Sequence, residues 1–261
     1  MRAQRPSVPA RLLAIAAAAL VCTGTRASAA EMPMDFVYLR DIDPTILQDM
    51  RYAGSDNFTG EPVPGYDAPE CVLLRQAAEA LASVQADLKA KALTLKVYDC
   101  YRPARAVEAF VAWAKEPDVP QAKAVYYPNL PKSALFPDYI ATRSGHSRGA
   151  TLDLTVVPSV SASAAPEATE AATSPCTAPQ QGWAPDGSLA MGTRFDCFDV
   201  KANTEAPGLT QEEQDNRAVL VEAMKKRGFK NYPFEWWHYT FEPEPYPETY
   251  FDFPIAPRPQ R

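Results

Sequence analysis

Residues 144–157 read SGHSRGATLDLTVV, a segment that opens in turn chemistry and closes as a strand. Gly149 offers a bend, and the Thr/Leu/Val run after it suits a pleated, buried surface. One residue breaks that run. Asp153 places a carboxylate in an otherwise apolar strand, where burial is costly unless the group is paired or holds a metal. His146, in the turn, is one of only two histidines among 261 residues. The strand therefore reads as one that carries chemistry as well as core.

On the N-terminal side, residues 93–101, LTLKVYDCY, alternate and are partly β-branched, which predicts a second strand. It runs through Arg102 and Pro103 into residues 104–116, an amphipathic helix. Residues 69–92 carry apolar side chains at 73, 74, 77, 80, 81, 84 and 88, the periodicity of a helix with a core-facing stripe. Asp43 followed by Pro44 predicts a further helix start. On the C-terminal side, residues 158–185 are dominated by Ala, Ser, Thr, Pro, Glu and Gln, which predicts a flexible insertion. Thr210 and Glu213 form a capping-box signature for a helix through about Lys226, which Gly228 is placed to end. Residues 234–242, FEWWHYTFE, predict a final strand. Helices and strands fall in blocks rather than strict alternation. The expectation is a single α+β domain whose central, mostly antiparallel sheet is flanked by helices.

The first 29 residues have the grammar of a secretory signal peptide: Arg2, Arg5 and Arg11, then LLAIAAAALVC, then an Ala-Ser-Ala end. The apolar run is shorter than the ~20 residues a spanning helix needs, so no stable membrane anchor is expected. A lipoprotein reading through Cys22 is disfavoured by the bulky Val21. The chain is expected to be exported, periplasmic or secreted, with the working domain over residues 30–261. The leader holds four arginines and no acidic residue, so 22 basic residues face 32 acidic ones beyond it, a net charge of −10. Such a chain, without a basic run, is a poor partner for nucleic acid.

Four cysteines remain beyond the leader, and an even number in an exported chain favours two disulfides out of three possible pairings. Cys71–Cys100 with Cys176–Cys197 is preferred. The first ties a helix start to a strand end, and the second closes a loop whose cross-link stabilises by roughly 3 kcal/mol in the chain-entropy model. No C-x-x-C spacing points to a cysteine metal site.

His146, Asp153 and the second histidine, His238 in FEWWHY, make a candidate three-ligand set for one Zn²⁺ with an open fourth position for water. A lone histidine is more often structural than a ligand, and the H-x6-D spacing alone is weak. Combined with E-x-x-H in a chain without spare histidines, it gains specificity. Glu235 is then the natural general base, although in a straight strand it points away from His238. The backbone must therefore bend there. Trp236 and Trp237 are read as core or pocket wall. Arg102, at a strand end, can stabilise an oxyanion, while an ordinary ion pair is its simpler role.

Taken together, MRYAGSDNFTG, VPGY, YDCYRPARAVEAF, SGHSRGATLDLT, MGTRFDCFD, FEWWHY and EPYPETYFDFP resemble, in order, the VanX-type D-alanyl-D-alanine dipeptidases, zinc enzymes of the D-Ala-D-Ala metallopeptidase group. The resemblance covers most of the chain beyond the leader. It implies that His146, Asp153 and His238 bind zinc, that Glu235 is the catalytic base and that Arg102 stabilises the transition state. It also implies substrate-binding roles for Tyr52, Ser144 and Asp196, with Asp196 receiving the dipeptide's ammonium. The leader, the cysteines, the insertion and Gly145, where some relatives carry serine, depart from the pattern. The expected partner is a small dipeptide, D-alanyl-D-alanine, hydrolysed by metal-activated water. The alternative is a D,D-carboxypeptidase trimming peptidoglycan stem peptides, and a zinc-bearing binding module is the non-enzymatic rival. The sequence leaves oligomeric state open.

Overall fold

The strand that closes the 144–157 segment takes the middle place in the main sheet. A computed structural model describes Met1 and residues 31–159, 174–179 and 186–259. The proposed leader, beyond Met1, and most of the Ala/Ser/Pro-rich segment lie outside the described residues.

In chain order, β1 (Phe36–Tyr38) leads into a single-turn helix α1 (Leu39–Ile42), then β2 (Leu47–Gln48) and β3 (Val72–Leu74). Helix α2 (Arg75–Lys89) precedes β4 (Leu93–Asp99), and α3 (Ala104–Lys115) and α4 (Pro120–Tyr126) follow. β5 (Thr151–Pro158), α5 (Gln211–Lys225), β6 (Phe229–Asn231) and β7 (His238–Phe241) complete the order. Five strands form the main sheet in the order β2-β4-β5-β7-β6, all antiparallel except the β2–β4 edge, and β1 with β3 makes a separate two-stranded sheet. This is the expected α+β architecture.

β5 is buried along its first seven residues because β4 and β7 pair with it on either side. The register sets Asp99 opposite Asp153 and Asp153 opposite His238. Residues directly opposite share one face of a sheet, so three strands deliver their polar side chains to the same place. Helix α2 buries Ala77, Ala78, Leu81, Val84 and Leu88, and its Gln85 donates to Thr94 Oγ1 at 2.7 Å while accepting from Leu95 N at 2.8 Å. These two bonds satisfy a buried amide and fix the helix against β4. The α5 capping box forms as its sequence predicts, with Thr210 Oγ1 accepting from Glu213 N and Glu213 accepting from Thr210 N.

The local expectations need four corrections. Leu73 and Leu74 belong to β3, not to the helix, which starts at Arg75: pairing with β1 overrides the helical spacing. Asp43 ends α1 rather than starting a helix, because its carboxylate accepts from Thr45 N at 2.9 Å and competes with helical bonding. The final strand starts at His238, since residues 232–237 turn, with Glu235 N bonded to Tyr232 O and His238 N to Glu235 O. α4 has no counterpart in the sequence reading, although Pro120 at its first turn is a start signal.

Both preferred disulfides are present. Cys71 pairs with Cys100 and Cys176 with Cys197, and all four residues are fully buried. Cys71 precedes a strand rather than opening a helix.

Candidate metal centre and substrate cleft

The turn that predicts a bend is what completes the site. Glu235 and His238 leave the turn with Glu235 Oε2 3.3 Å from His238 Nδ1, so both reach one cavity. On the neighbouring strand Asp153 Oδ1 lies 3.1 Å from His238 Nδ1 and 3.3 Å from His146 Nε2. The two imidazoles stand 3.2 Å apart, Nε2 to Nδ1. His146 comes from a short 3-10 helix, Gly145–Arg148, whose preceding residue Ser144 accepts from His146 N. A Cβ at Gly145 lies 2.8 Å from Thr151 Oγ1, so a larger residue there requires a shift of that side chain or of the turn.

The chemistry of this trio fits a metal. His146, Asp153 and His238 each offer one ligand atom, all within 4.8 Å of one another. Asp153 Oδ1 is buried and makes no hydrogen bond, although two ring nitrogens stand beside it. Buried oxygens almost always have a partner, and one aimed at a shared point with two imidazoles suits a divalent cation. Burial alone raises the Asp153 pKa, but His146 and then His238 outweigh it and hold the carboxyl well below its usual range. Burial alone lowers the His238 imidazole, and the Asp153 and Glu235 carboxylates overcome it and raise its pKa to about 9.

His146 Nδ1 faces Cys100 O at 2.8 Å, with Asp99 Oδ2 at 3.3 Å. That partner fixes which nitrogen points inward. Asp99 also receives Arg102 through Nε at 2.9 Å and Nη2 at 2.8 Å, and Tyr66 OH at 2.7 Å. Arg102 Nη2 then lies 3.6 Å from Asp153 Oδ2, and its guanidinium rests over the rings of Tyr52 and Phe110. Asp99 is the residue that sequence reading misses. Its signal is the carboxylate three positions before Arg102 in YDCYRP.

All eight candidates for metal, catalytic and substrate roles line one cleft of about 510 Å³: Tyr52, Arg102, Ser144, His146, Asp153, Asp196, Glu235 and His238. Asp196 is buried, and Tyr52 OH lies 2.9 and 3.0 Å from its two oxygens. Burial, with Asp153 nearby, pushes the Asp196 carboxyl well above its ordinary range. Its backbone sits at φ +58°, a left-handed conformation costing a non-glycine residue about 1–2 kcal/mol. Trp237 walls the cleft, whereas Trp236 turns away and donates Nε1 to Thr193 Oγ1 at 2.8 Å, below the loop that carries Asp196.

The sequence matches the D-Ala-D-Ala dipeptidase family, peptidase family M15, over residues 32–164 and 184–256. The chain belongs to this family. It is 37% identical over 226 residues to a D-alanyl-D-alanine dipeptidase of Streptomyces coelicolor, covering 86% of this chain and all of that protein. Enzymes of the same name from Enterococcus faecium and Enterococcus faecalis are each 35% identical, again over 86% of this chain and the whole of each relative. As an M15 member the chain is a metallopeptidase. The two matched stretches contain all eight cleft candidates, and the gap between them falls within the Ala/Ser/Pro-rich segment of this M15 chain.

Proposed function

We propose that this chain hydrolyses D-alanyl-D-alanine to two D-alanines, using one zinc ion held by His146, Asp153 and His238. The observation that carries the reading is the meeting of these three donors beside Glu235 and Arg102, in a cleft that the buried Asp196 also lines. A bound zinc ion supplies Lewis acidity and brings the pKa of a coordinated water to about 7.

The chain's own residues do the rest. Asp196, with Tyr52 OH beside it, receives the dipeptide's ammonium, a cation whose charge relieves a carboxyl that burial disfavours in its ionised form. Ser144, at the cleft wall, orients the substrate. Glu235 accepts the proton of the attacking water and returns it to the leaving amine, so one group serves as base and then acid. Arg102, held rigid by Asp99, donates to the oxyanion that develops on the scissile carbonyl. The walls of Phe58, Phe110 and Trp237 limit water around the charges, which strengthens each interaction.

The reading also takes residues 1–29 as an export leader and residues 30–261 as one catalytic domain. Two buried disulfides are compatible with an oxidising compartment, and no helix among the described residues is long and apolar enough to cross a membrane. The deciding experiment measures rates on the free dipeptide and on an N-acylated D-Ala-D-Ala peptide, with zinc content determined in parallel. A preference for the free dipeptide is expected, and faster cleavage of the acylated peptide overturns the assignment.

A further inference from the structure

Asp196 belongs to no helix or strand. It lies in the loop between β5 and α5 in a left-handed conformation, so something other than a ladder must hold it. The next residue is Cys197, bonded to Cys176, and both are completely buried. Around this link, Cys176 N donates to Val125 O at 2.7 Å, Arg194 N to Cys176 O at 3.1 Å, and Phe198 N to Tyr126 O at 2.8 Å. The loop is therefore fastened two residues before and two residues after Asp196, to Cys176 and to the end of α4, with the only covalent tie one residue away.

The other disulfide stands in an analogous relation to the metal-ligand candidate His146. Cys100 lies between Asp99 and the Tyr101–Arg102 turn, and its carbonyl faces His146 Nδ1. Its partner Cys71 passes directly into β3, whose Val72 O accepts from Tyr101 N at 2.9 Å.

We propose that the two disulfides are positioning devices for different halves of the reaction: Cys176–Cys197 sets the Asp196 carboxylate for the substrate ammonium, and Cys71–Cys100 sets the carbonyl that orients His146. The inference rests on the roles given above to Asp196 and His146, and assigns the cysteines a part in them. Breaking Cys176–Cys197 loosens recognition of the dipeptide's amino end. Breaking Cys71–Cys100 loosens the imidazole, where a lost outer partner typically costs ~10–100-fold in metal affinity or activity.

Three variants of the full chain test this: C176S/C197S, C71S/C100S and D196N. For C176S/C197S, KM for D-Ala-D-Ala is expected to rise tenfold or more while zinc content stays at one per chain. C71S/C100S is expected to bind zinc at least tenfold more weakly. A folded C176S/C197S variant with unchanged KM, or both pairs producing only an equal fall in Tm, overturns the proposal. D196N, with both disulfides intact, separates it from the reading beneath. If D196N raises KM and C176S/C197S does not, only the disulfide inference fails; if D196N leaves KM unchanged, the role of Asp196 fails and takes the inference with it. Should C176S/C197S not fold, the C71S/C100S variant, in which Cys176–Cys197 is the remaining disulfide of the described residues, is saturated with zinc, reduced with a phosphine in dilute urea, alkylated and returned to zinc-containing buffer, with an oxidised control of the same variant treated alike. The same KM rise is expected there, and an unchanged KM counts against the proposal.

Discussion

Asp153 and His238 are cross-strand partners, and their facing atoms Oδ1 and Nδ1 stand 3.1 Å apart. The pairing of β5 with β7 is thus also the pairing of two donors. Because side chains alternate with a period of two, a one-residue slip of either strand sends its donor to the opposite face from the other. The candidate metal site and the middle of the sheet are specified together.

Metal removal is the first test of that relationship. A chelator should abolish hydrolysis and added zinc should restore it. D153N should lose most bound metal, since it replaces an anionic ligand oxygen with an amide. E235Q should retain zinc, measured by atomic absorption, while kcat falls ~10²–10⁴-fold, the usual contribution of a positioned acid–base group. A D153N chain that keeps full zinc occupancy removes Asp153 from the ligand set.

Arg102 and Asp99 form the second. R102K keeps the positive charge but not the two-point hold that Nε and Nη2 make on Asp99 Oδ2. Loss of about 10²–10³ in kcat is expected, comparable to removal of an oxyanion donor. D99N should act on both of its neighbours, lowering kcat through Arg102 and metal affinity through His146. Steady-state kinetics and a zinc-competition titration separate the two, and a D99N variant normal in both excludes this positioning role.

The residue types of the site were legible because each was out of place locally: a carboxylate in an apolar strand, two histidines in a whole chain, an arginine at a strand end. Their convergence was not legible from spacing. It depends on the β4–β5–β7 register, a long-range property that brings residue 99 beside residue 153 and residue 153 beside residue 238. Even the awkward E-x-x-H spacing carried information, since a straight strand forbids what the turn at Glu235 provides. Helices α2 and α3 followed from periodicity, and α5 from its cap. What periodicity misread was short and tertiary. β3 takes two leucines from the predicted helix because β1 is there to pair with them, and β1, β2 and β6 are too short to leave an alternation.

Gly149 supplies a stability test close to the site. It sits at φ +81° between the His146 turn and β5, and a Cβ there falls 2.3 Å from Phe36 Cε1. G149A should therefore incur both the left-handed penalty and overpacking, about 2–5 kcal/mol in sum. Denaturant titration of the metal-loaded chain measures it. A loss below 1 kcal/mol means that Phe36 yields readily and the contact is not tight.

Asp186 gives the pH test. Its carboxylate meets Lys96 Nζ at 3.0 Å and Ser188 Oγ at 2.5 Å, and Tyr98 OH also donates to it. Burial alone raises its pKa, but Lys96, followed by the Ser188 and Tyr98 hydrogen bonds, outweighs that and holds it well below the usual carboxylate range. A depressed folded pKa means that the unfolded chain takes up the proton first as pH falls, so the ion cluster's contribution is complete above the ordinary carboxylate pKa, ~4. It is lost only as pH drops further, through the folded value. D186N leaves the buried Lys96 with the residue-186 carbonyl and, as its ion-pair partner among the described residues, Asp49 at 3.9 Å, and a cost of about 3 kcal/mol is expected at pH 7, as for one partner removed from a buried pair. Parallel denaturation of both proteins should give a constant difference from pH 7 to about 5, narrowing below pH 4 as the wild-type carboxylate protonates. A difference that widens on acidification has the opposite sign and rules out the depressed carboxylate as its source.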